Sequence, residues 1–490
     1  MTDKTKLEKI GKLRKMNVNP YPYAFSQTHH AAEIVEKFET LNGKRVSVAG
    51  RVIRTRHMGK LTFFDLLDAS GKIQIMIKAD SAGKSVAQLL DTVDRGDIIG
   101  VEGNVTKSER GEISVELKEL TLLAKALREM PEKFHGLSDV EIRYRKRYLD
   151  LATNPNTRKV FTIRAKTISY IRKFLDDHGY LEVETPALQQ VYGGANAKPF
   201  TTHHNFLDQD LFLRISDELY LKRLIIGGIE KVYEISKDFR NESVDTLHNP
   251  EFTMLEAYEA YGDYNTYAKL FEEMLAGLVK HIFGTHTIEF QGKRIDFTPP
   301  FKRLSFADEI KKKSGIDVAA IKDDDEAARI AKKEKLDTPV MNRYHVADAL
   351  LDKYVKPSIW EPTLVMDYPA YMCALVKDSR KDPRKSERFE MFVAGEFELM
   401  NVYSELNDPT EQRKKFDEQV AEKKKGDEEQ PPMDEDFVEA MEYGMPPAAG
   451  IGIGIDRLVM LLTNNVSIKE VILFPSVKPE GKKSKGTADK

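Results

Sequence analysis

Cysteine is nearly absent: the 490 residues contain one, Cys373. A single thiol excludes an internal disulfide framework and a cysteine-built zinc site, and it suits a reducing cytoplasm. Long apolar runs are also missing, and none approaches the ~18 residues of a membrane span. The opening stretch MTDKTKLEKIGKLRKMNVNPYPY has neither the apolar core of a secretory signal nor the arginine-rich character of a transit peptide. There is no G-x-x-x-x-G-K-[ST] phosphate loop, no dinucleotide-binding glycine fingerprint and no internal repeat. Charge of one sign is lacking too: 76 Lys and Arg against 79 Asp and Glu leave a net −3. That argues against a surface coated in positive charge while leaving room for a local basic face.

What is present describes a globular cytoplasmic chain. Charged residues make up 32% and hydrophobic ones 41%, and the length allows two or three domains. The first residues form a basic stretch (Lys4, Lys6, Lys9, Lys12, Arg14, Lys15) with apolar positions at helical spacing. Such a helix either touches nucleic acid through phosphates or packs on its own domain. Residues 44–124 read as five short strands, with a helical KSVAQLLDTV between the third and fourth, and fit a small closed barrel of the oligonucleotide-binding type. Arg51, Arg54 and Arg56 offer charge for phosphate, and Phe63 and Phe64 offer stacking faces. Strand alternation allows only one of these two rings to face a base. The expected organisation is a helix and barrel over 1–135, a polar connector over 136–152 and a second domain over 153–478. That domain carries a helical insertion over about 305–360, and a disordered Lys-rich tail follows at 479–490.

Three constellations carry chemistry. In the first, KVYEISKDF and MLEAYEAY alternate as strands around FRNE and HNPEFT, predicting a hairpin. It gathers Arg240, Glu242, His248, Asn249 and Phe252: cations for phosphate, an acceptor for an adenine amino group and a ring for the base. In the second, Gly450, Gly452 and Gly454 alternate with isoleucines and lead through Asp456 and Arg457 into the apolar helix LVMLLTN. The glycines permit close approach of a ligand or a neighbouring strand, and Arg457 adds a second guanidinium for one triphosphate. In the third, Glu390, Glu398 and Glu405 sit among apolar residues. Buried acids require a cation or a hydrogen-bond partner, and oxygen-only ligands beside phosphates favour Mg²⁺ over zinc.

Taken together, FRNE with HNPEFT and the GIGIGIDR run resemble motifs 2 and 3 of the class II aminoacyl-tRNA synthetases, and LEVETP with Pro186 resembles motif 1. The resemblance narrows to the lysyl-tRNA synthetases through NPYP at 19–22, RYRKRYLDL, GGANAKPFTTHHN, ELYLKRL, HNPEFTMLEAY, SELND and ILFPSVKP, which span nearly the whole chain. It implies an α+β protein. An N-terminal OB-fold anticodon-binding barrel would precede a class II catalytic domain, an antiparallel sheet flanked by helices, in a cytoplasmic homodimer. The resemblance implies that Arg240 holds the α-phosphate, that His248 and Arg457 meet the distal phosphates, and that Phe252 stacks on adenine while Glu242 accepts from its amino group. Asn249 would lie in the same loop, and Glu390 and Glu398 would ligate Mg²⁺. It further implies a lysine pocket of Gly194, Glu218, Glu256, Tyr258, Asn401, Tyr403 and Glu405, whose acids and aromatics suit an ammonium on an aliphatic stem. In the barrel, Arg54, Phe63, Gln74 and Glu112 match positions that read the lysine anticodon.

Two departures from the family pattern stand out. The family commonly carries a Ser-Pro pair where this chain has Cys373 and Ala374, and Cys373 reads as a small residue packed against the pocket. The segment between Glu390 and Asn401 is one residue longer than in many relatives, which leaves Glu396 as the alternative to Glu398. The expected activity is ATP-dependent formation of lysyl-adenylate, then transfer of lysine to tRNA(Lys). The alternatives are an aspartyl- or asparaginyl-type enzyme, opposed by the acidic pocket, and a paralogue that lysylates a protein, opposed by the barrel. A catalytically inactive RNA-binding paralogue is opposed by the presence of Arg240, Glu242 and Arg457.

Overall fold

A computed structural model describes residues 3–59, 61–78, 84–130, 139–338, 340–395 and 397–479. The chain divides into two compact units after residue 137. The first is the expected barrel, with β1 (Arg45–Met58), β2 (Leu61–Leu67), β3 (Lys72–Lys78), β4 (Ile98–Lys107) and β5 (Ile113–Ala124). They close in the order β1-β2-β3-β5-β4, with β3 and β5 parallel. Alternation sends Val46, Val48, Phe64, Ile75, Val101 and Val115 inward. The helix Lys4–Lys15 buries Ile10 and Leu13, and Leu13 joins the barrel core. Lys9 pairs with Asp94 at 2.5 Å. This basic helix is therefore docked on its own unit by an apolar stripe.

The second unit is built on an eight-stranded sheet. Its strands in chain order are β6 (Leu181–Glu182), β7 (Lys231–Phe239), β8 (Glu251–Ala260), β9 (Lys302–Ser305), β10 (Thr363–Met366), β11 (Arg388–Val393), β12 (Phe397–Ser404) and β13 (Ala448–Gly454). The spatial order is β9-β10-β11-β12-β13-β8-β7-β6. All pairings are antiparallel except those at the two edges. One face is covered by the helices Pro155–Asp177, Tyr264–Phe283 and Ile455–Leu462, which pack Ile171, Phe271, Leu275, Leu458 and Val459 against Leu255, Met391, Val402 and Ile453. The other face is left to the site. The insertion forms a core of its own from the helices Phe306–Ser314, Asp324–Glu334 and Arg343–Tyr354. Its acidic run caps a helix, with the Asp323 side chain accepting from the Glu326 amide and Asp324, Asp325 and Glu326 in the first turn.

The expected connector needs correction. Residues Val140–Arg145 and Arg147–Thr153 are helices that belong to the second unit. Arg147 is completely buried, donating to Asp150 at 3.0 Å and to the Lys469 carbonyl at 2.6 Å, while Arg143 pairs with Glu470 at 2.8 Å. A buried guanidinium so fully partnered ties the segment down rather than leaving it a spacer. Of the expected Lys-rich tail, all but Pro479 lies outside the described residues, as does Glu396.

Candidate active site

The geometry of the site follows from the registry of β13. Gly450 pairs with Tyr258 on one side and Tyr403 on the other, Gly452 with Glu256 and Asn401, and Gly454 with Met254. Directly paired residues share a face, so the three glycines lie on the face that carries Glu256, Tyr258, Asn401 and Tyr403. The isoleucines between them, Ile451 and Ile453, fill the helix-covered core. The Gly-Ile alternation is thus a strand with one side removed. The result is a trough of about 440 Å³ lined by Gly194, Glu218, Arg240, Glu256, Asn401 and Arg457 among others. A Cβ at Gly450 would collide with the Glu405 carboxylate and the Tyr258 ring, so that position admits glycine alone.

At one end of the trough three acids converge under burial. Glu256 accepts from Ser216 Oγ at 2.7 Å and from the Tyr258 hydroxyl at 3.1 Å. Burial pushes its carboxyl well up, and Asp217, Asp238 and Glu218 push it further. Glu218 is raised by burial although Lys222 draws it back. Glu405 is pushed up to about 8 by burial, against Lys222 and reinforced by Glu218. Glu218, Glu256, Tyr258, Asn401, Tyr403 and Gly194 line the trough. Glu405 lies behind them, completely buried and ion-paired with Lys222. Asn401 is fixed at both ends, accepting from Arg388 Nε at 3.1 Å and donating to the Tyr403 hydroxyl at 2.9 Å.

At the other end lie the guanidinium groups. Arg240, at the end of β7, spans from the Ile215 carbonyl at 3.4 Å to the face of Phe252, whose ring centroid is 5.0 Å away. Arg457 enters from the first turn of the helix Ile455–Leu462 and meets Glu398 at 3.5 Å and His248 Nε2 at 3.2 Å. His248 Nδ1 sits 2.8 Å from Asp245, which places the proton on Nδ1 and leaves Nε2 to accept from Arg457. Glu242 is exposed on the rim. Asn249 has its carboxamide committed to the backbone, donating to the Glu251 carbonyl at 2.6 Å and accepting from the Ser476 amide at 3.2 Å. It therefore braces the loop.

The strand before Asn401 carries a bulge. The β11–β12 ladder slips between Met391 and Phe392, so Phe392 pairs with Glu398 while Met391 pairs with Met400. The bulge at Leu399 reverses the alternation and brings Glu398 onto the face of Asn401 and Glu390. Glu390 is buried between Arg388 and the Tyr368 hydroxyl, the latter at 2.6 Å. Burial pushes its carboxyl up to about 7 against Arg388, with the Glu398 charge adding to the rise. Two carboxylates that repel one another beside two guanidinium groups fit an oxygen-only divalent cation whose other ligands are phosphate and water. No cluster of three metal-ligating side chains exists among the described residues.

Several partners escaped the sequence reading. Asp456 accepts from the Thr253 amide and from Arg164, each at 2.6 Å, and so bolts the helix bearing Arg457 to the hairpin bearing Arg240. Arg388 lies between the rings of Tyr368 and Tyr403, at 4.5 and 5.6 Å. Behind the trough, Asp217 and Asp238 are pushed up to about 8 and about 6, mainly by burial, with Arg214 drawing both back. Cys373 lines the trough 3.3 Å from Ser386 Oγ and 3.5 Å from Arg388.

The barrel presents a second polar face. Phe64 points into its core, and Phe63 points to the other side of the strand, where it is 9% exposed and lies under Arg56, whose guanidinium is 5.8 Å from the ring centroid. On that outer face Gln74 donates to Glu112 at 2.6 Å and accepts from Ser114 at 2.9 Å, while Arg54 stands exposed. Arg56 pairs with Asp65 at 2.9 Å, and Arg51 donates to the Gly96 carbonyl at 2.7 Å.

Comparison with known proteins agrees with both units. Residues 139–478 match the family described as tRNA synthetases class II (D, K and N), and residues 46–123 match the OB-fold nucleic acid binding domain. The chain is 49% identical over 476 residues to the lysine–tRNA ligase of Moorella thermoacetica, covering 97% of each protein. It is 48% identical to that of Carboxydothermus hydrogenoformans, covering 97% of this chain and 98% of the relative. It is 45% identical to that of Syntrophomonas wolfei, with 97% of each covered. A glycine-floored trough between paired guanidinium groups and buried acids, an antiparallel sheet and an OB-fold barrel coincide with similarity along almost the whole length, and the chain belongs to the class II aminoacyl-tRNA synthetases, in the lysine–tRNA ligase family.

Proposed function

We propose that the trough activates L-lysine with ATP and that the chain then transfers lysine to tRNA(Lys), with the barrel holding the anticodon. The observation that carries this is the polarity of one cavity, with the guanidinium groups of Arg240 and Arg457 at one end and the buried acids Glu218 and Glu256, raised by burial, at the other. ATP lies along the Arg240–Arg457 end with adenine on Phe252, Glu242 accepting from its amino group and Asn249 shaping the loop. His248, held by Asp245, orients Arg457 toward the distal phosphates. The lysine ammonium enters the acids, where Tyr258 and Tyr403 flank its stem, and Gly194 and Asn401 close over its other end.

The α-carboxylate of lysine, ionised at neutral pH with a pKa of roughly 3.5, attacks the α-phosphorus, and pyrophosphate leaves. The 3′-terminal adenosine hydroxyl of tRNA then attacks the carbonyl carbon of the adenylate, and AMP leaves. The first step needs no protein nucleophile. Positioning and neutralisation of developing phosphate charge by Arg240 and Arg457 carry it. Glu390 and Glu398 would hold Mg²⁺, which supplies further neutralisation of the phosphates. In the barrel, Phe63 offers a stacking face, and Arg54, Gln74 and Glu112 offer edge contacts to unpaired anticodon bases. We further propose a cytoplasmic homodimer. The exposed Leu181 on the edge strand β6, with the family resemblance, supports that assembly.

Arg240→Ala tests the assignment. Loss of one transition-state cation is expected to reduce lysine-dependent ATP–pyrophosphate exchange by about 10²–10³-fold. Lysine binding, followed by calorimetry, should change far less. Exchange at near wild-type rate would remove Arg240 from the mechanism.

A further inference from the structure

The insertion brings to the trough a cation that no motif singles out. Its core includes Val365 of β10 and Phe392 of β11, so it is docked on the sheet beside the site. On the helix Arg343–Tyr354, Tyr344, Asp348 and Asp352 follow at four-residue spacing and share one face. Tyr344 and Asp348 line the trough, and so does Lys356, just past the end of that helix. Lys356 ion-pairs with Asp352, and its Nζ stands 5.1 Å from the centroid of the Phe392 ring. Phe392 is the register partner of Glu398, which places the two side by side on one face. Arg457 meets the same Glu398 from the side of β13. Lys356 and Arg457 therefore flank one carboxylate, at the end of the trough given to the phosphates. Burial opposes the charge on Lys356, but Asp352, Asp348 and Glu390 outweigh it and hold the ammonium above the ordinary lysine range. Anchoring of the insertion is a weak account of this side chain, because an ion pair whose acid is 57% exposed adds little to stability.

We infer that Lys356 is a further catalytic residue of adenylate formation, its ammonium contacting the distal phosphates of ATP and the departing pyrophosphate. In that step a carboxylate oxygen of the amino acid bonds to the α-phosphorus while the bond from that phosphorus to the bridging oxygen breaks. The electron pair stays on the pyrophosphate oxygen, where negative charge gathers. Arg457 meets that charge from the side of β13, and Lys356 meets it from the side of β11. No proton moves, so a cation that stays charged is all the step requires of this position. Asp352 holds the ammonium at the edge of the empty trough and gives it up to the more highly charged phosphates. The insertion is thereby a working wall of the ATP site. The inference rests on the placement of ATP proposed above.

The test compares the full-length wild type with Lys356→Met, Lys356→Arg and Asp352→Asn. Methionine keeps an unbranched chain over Phe392 and removes the charge. Calorimetry with magnesium pyrophosphate reads the distal subsite, calorimetry with AMP reads the rest of the nucleotide site, and lysine-dependent ATP–pyrophosphate exchange gives the kinetic counterpart. One hydrogen bond to a charged group corresponds to about 10- to 150-fold in binding. Lys356→Met should weaken pyrophosphate binding and lower kcat/KM for ATP within that range, while AMP binding and the KM for lysine hold. Lys356→Arg should retain most of both. Asp352→Asn frees the ammonium and should tighten pyrophosphate binding, whereas a merely structural pair would make it behave as Lys356→Met does; it carries the test if the methionine variant does not fold. Unchanged pyrophosphate binding in folded Lys356→Met, equal losses for pyrophosphate and AMP, or an Asp352→Asn protein that binds pyrophosphate no more tightly than wild type would overturn the assignment. If the wild type binds neither AMP nor pyrophosphate, the placement of ATP itself falls.

Discussion

Gly452→Ala separates the fold from the site at a single carbon. Gly452 lies mid-trough on β13, between Glu256 and Asn401. A Cβ there meets only the terminal methyl of Met254, at 3.1 Å, which is the far end of a flexible thioether. The empty protein should accept it. Alanine in a strand interior is worth up to about 1 kcal/mol over glycine, so the melting temperature should hold or rise slightly. The new methyl, however, stands on the floor of a cavity of about 440 Å³ that must receive both substrates. Overpacking of one methyl costs about 1–3 kcal/mol, here paid only when the trough is occupied. That converts to a loss of roughly 5- to 150-fold in kcat/KM for lysine-dependent ATP–pyrophosphate exchange. Gly450→Ala is the contrasting control. Its Cβ collides with the Glu405 carboxylate and the Tyr258 ring, so that variant should lose stability as well as activity. A Gly452→Ala protein with wild-type melting and exchange within twofold of wild type would show that the glycine face is not where the substrates lie.

Three further outcomes follow from the same structure. Lysine binding at pH 7 should release protons, because an ammonium among Glu218, Glu256 and Glu405 lowers carboxyls that burial has raised, Glu405 to about 8; calorimetry in two buffers of different ionisation enthalpy measures this, and a buffer-independent enthalpy would contradict it. In the protein without lysine, Glu405 retains a proton that the unfolded chain gives up above its ordinary 4.5, so its contribution to stability falls as pH rises from 4.5 to about 8 and levels off beyond. Phe63→Ala should weaken tRNA binding by about 1–3 kcal/mol, the worth of one stacked base. Exchange without tRNA should be unaffected, since Phe63 belongs to the other unit.

How far the sequence could be read depended on the kind of partnership involved. Arg240, Phe252 and Arg457 were legible because a hairpin and a strand-to-helix turn announce themselves through alternation and glycine, and those turns carry the residues. Alternation also separated Phe63 from Phe64, with Phe64 in the core and Phe63 on the outer face. Register was not legible. The bulge at Leu399, which turns Glu398 onto the face of Asn401, depends on hydrogen bonding between β11 and β12 rather than on either strand alone. Partnerships between distant elements were hidden for the same reason. The Asp456 bonds to Thr253 and Arg164, the Lys222 bridge to Glu405 and the stacking of Arg388 between two tyrosines join positions that no local pattern links. The arginines within residues 136–152 suggest a solvent-facing connector, whereas Arg147 is buried among carbonyls and a carboxylate.

The central claim is that one trough joins ATP to lysine. Amino-acid-dependent ATP–pyrophosphate exchange, run on the purified full-length protein with each of the twenty standard amino acids, tests it most directly. Exchange should depend on lysine and on no other amino acid. Exchange with aspartate or asparagine in place of lysine, or with none of the twenty, would contradict it.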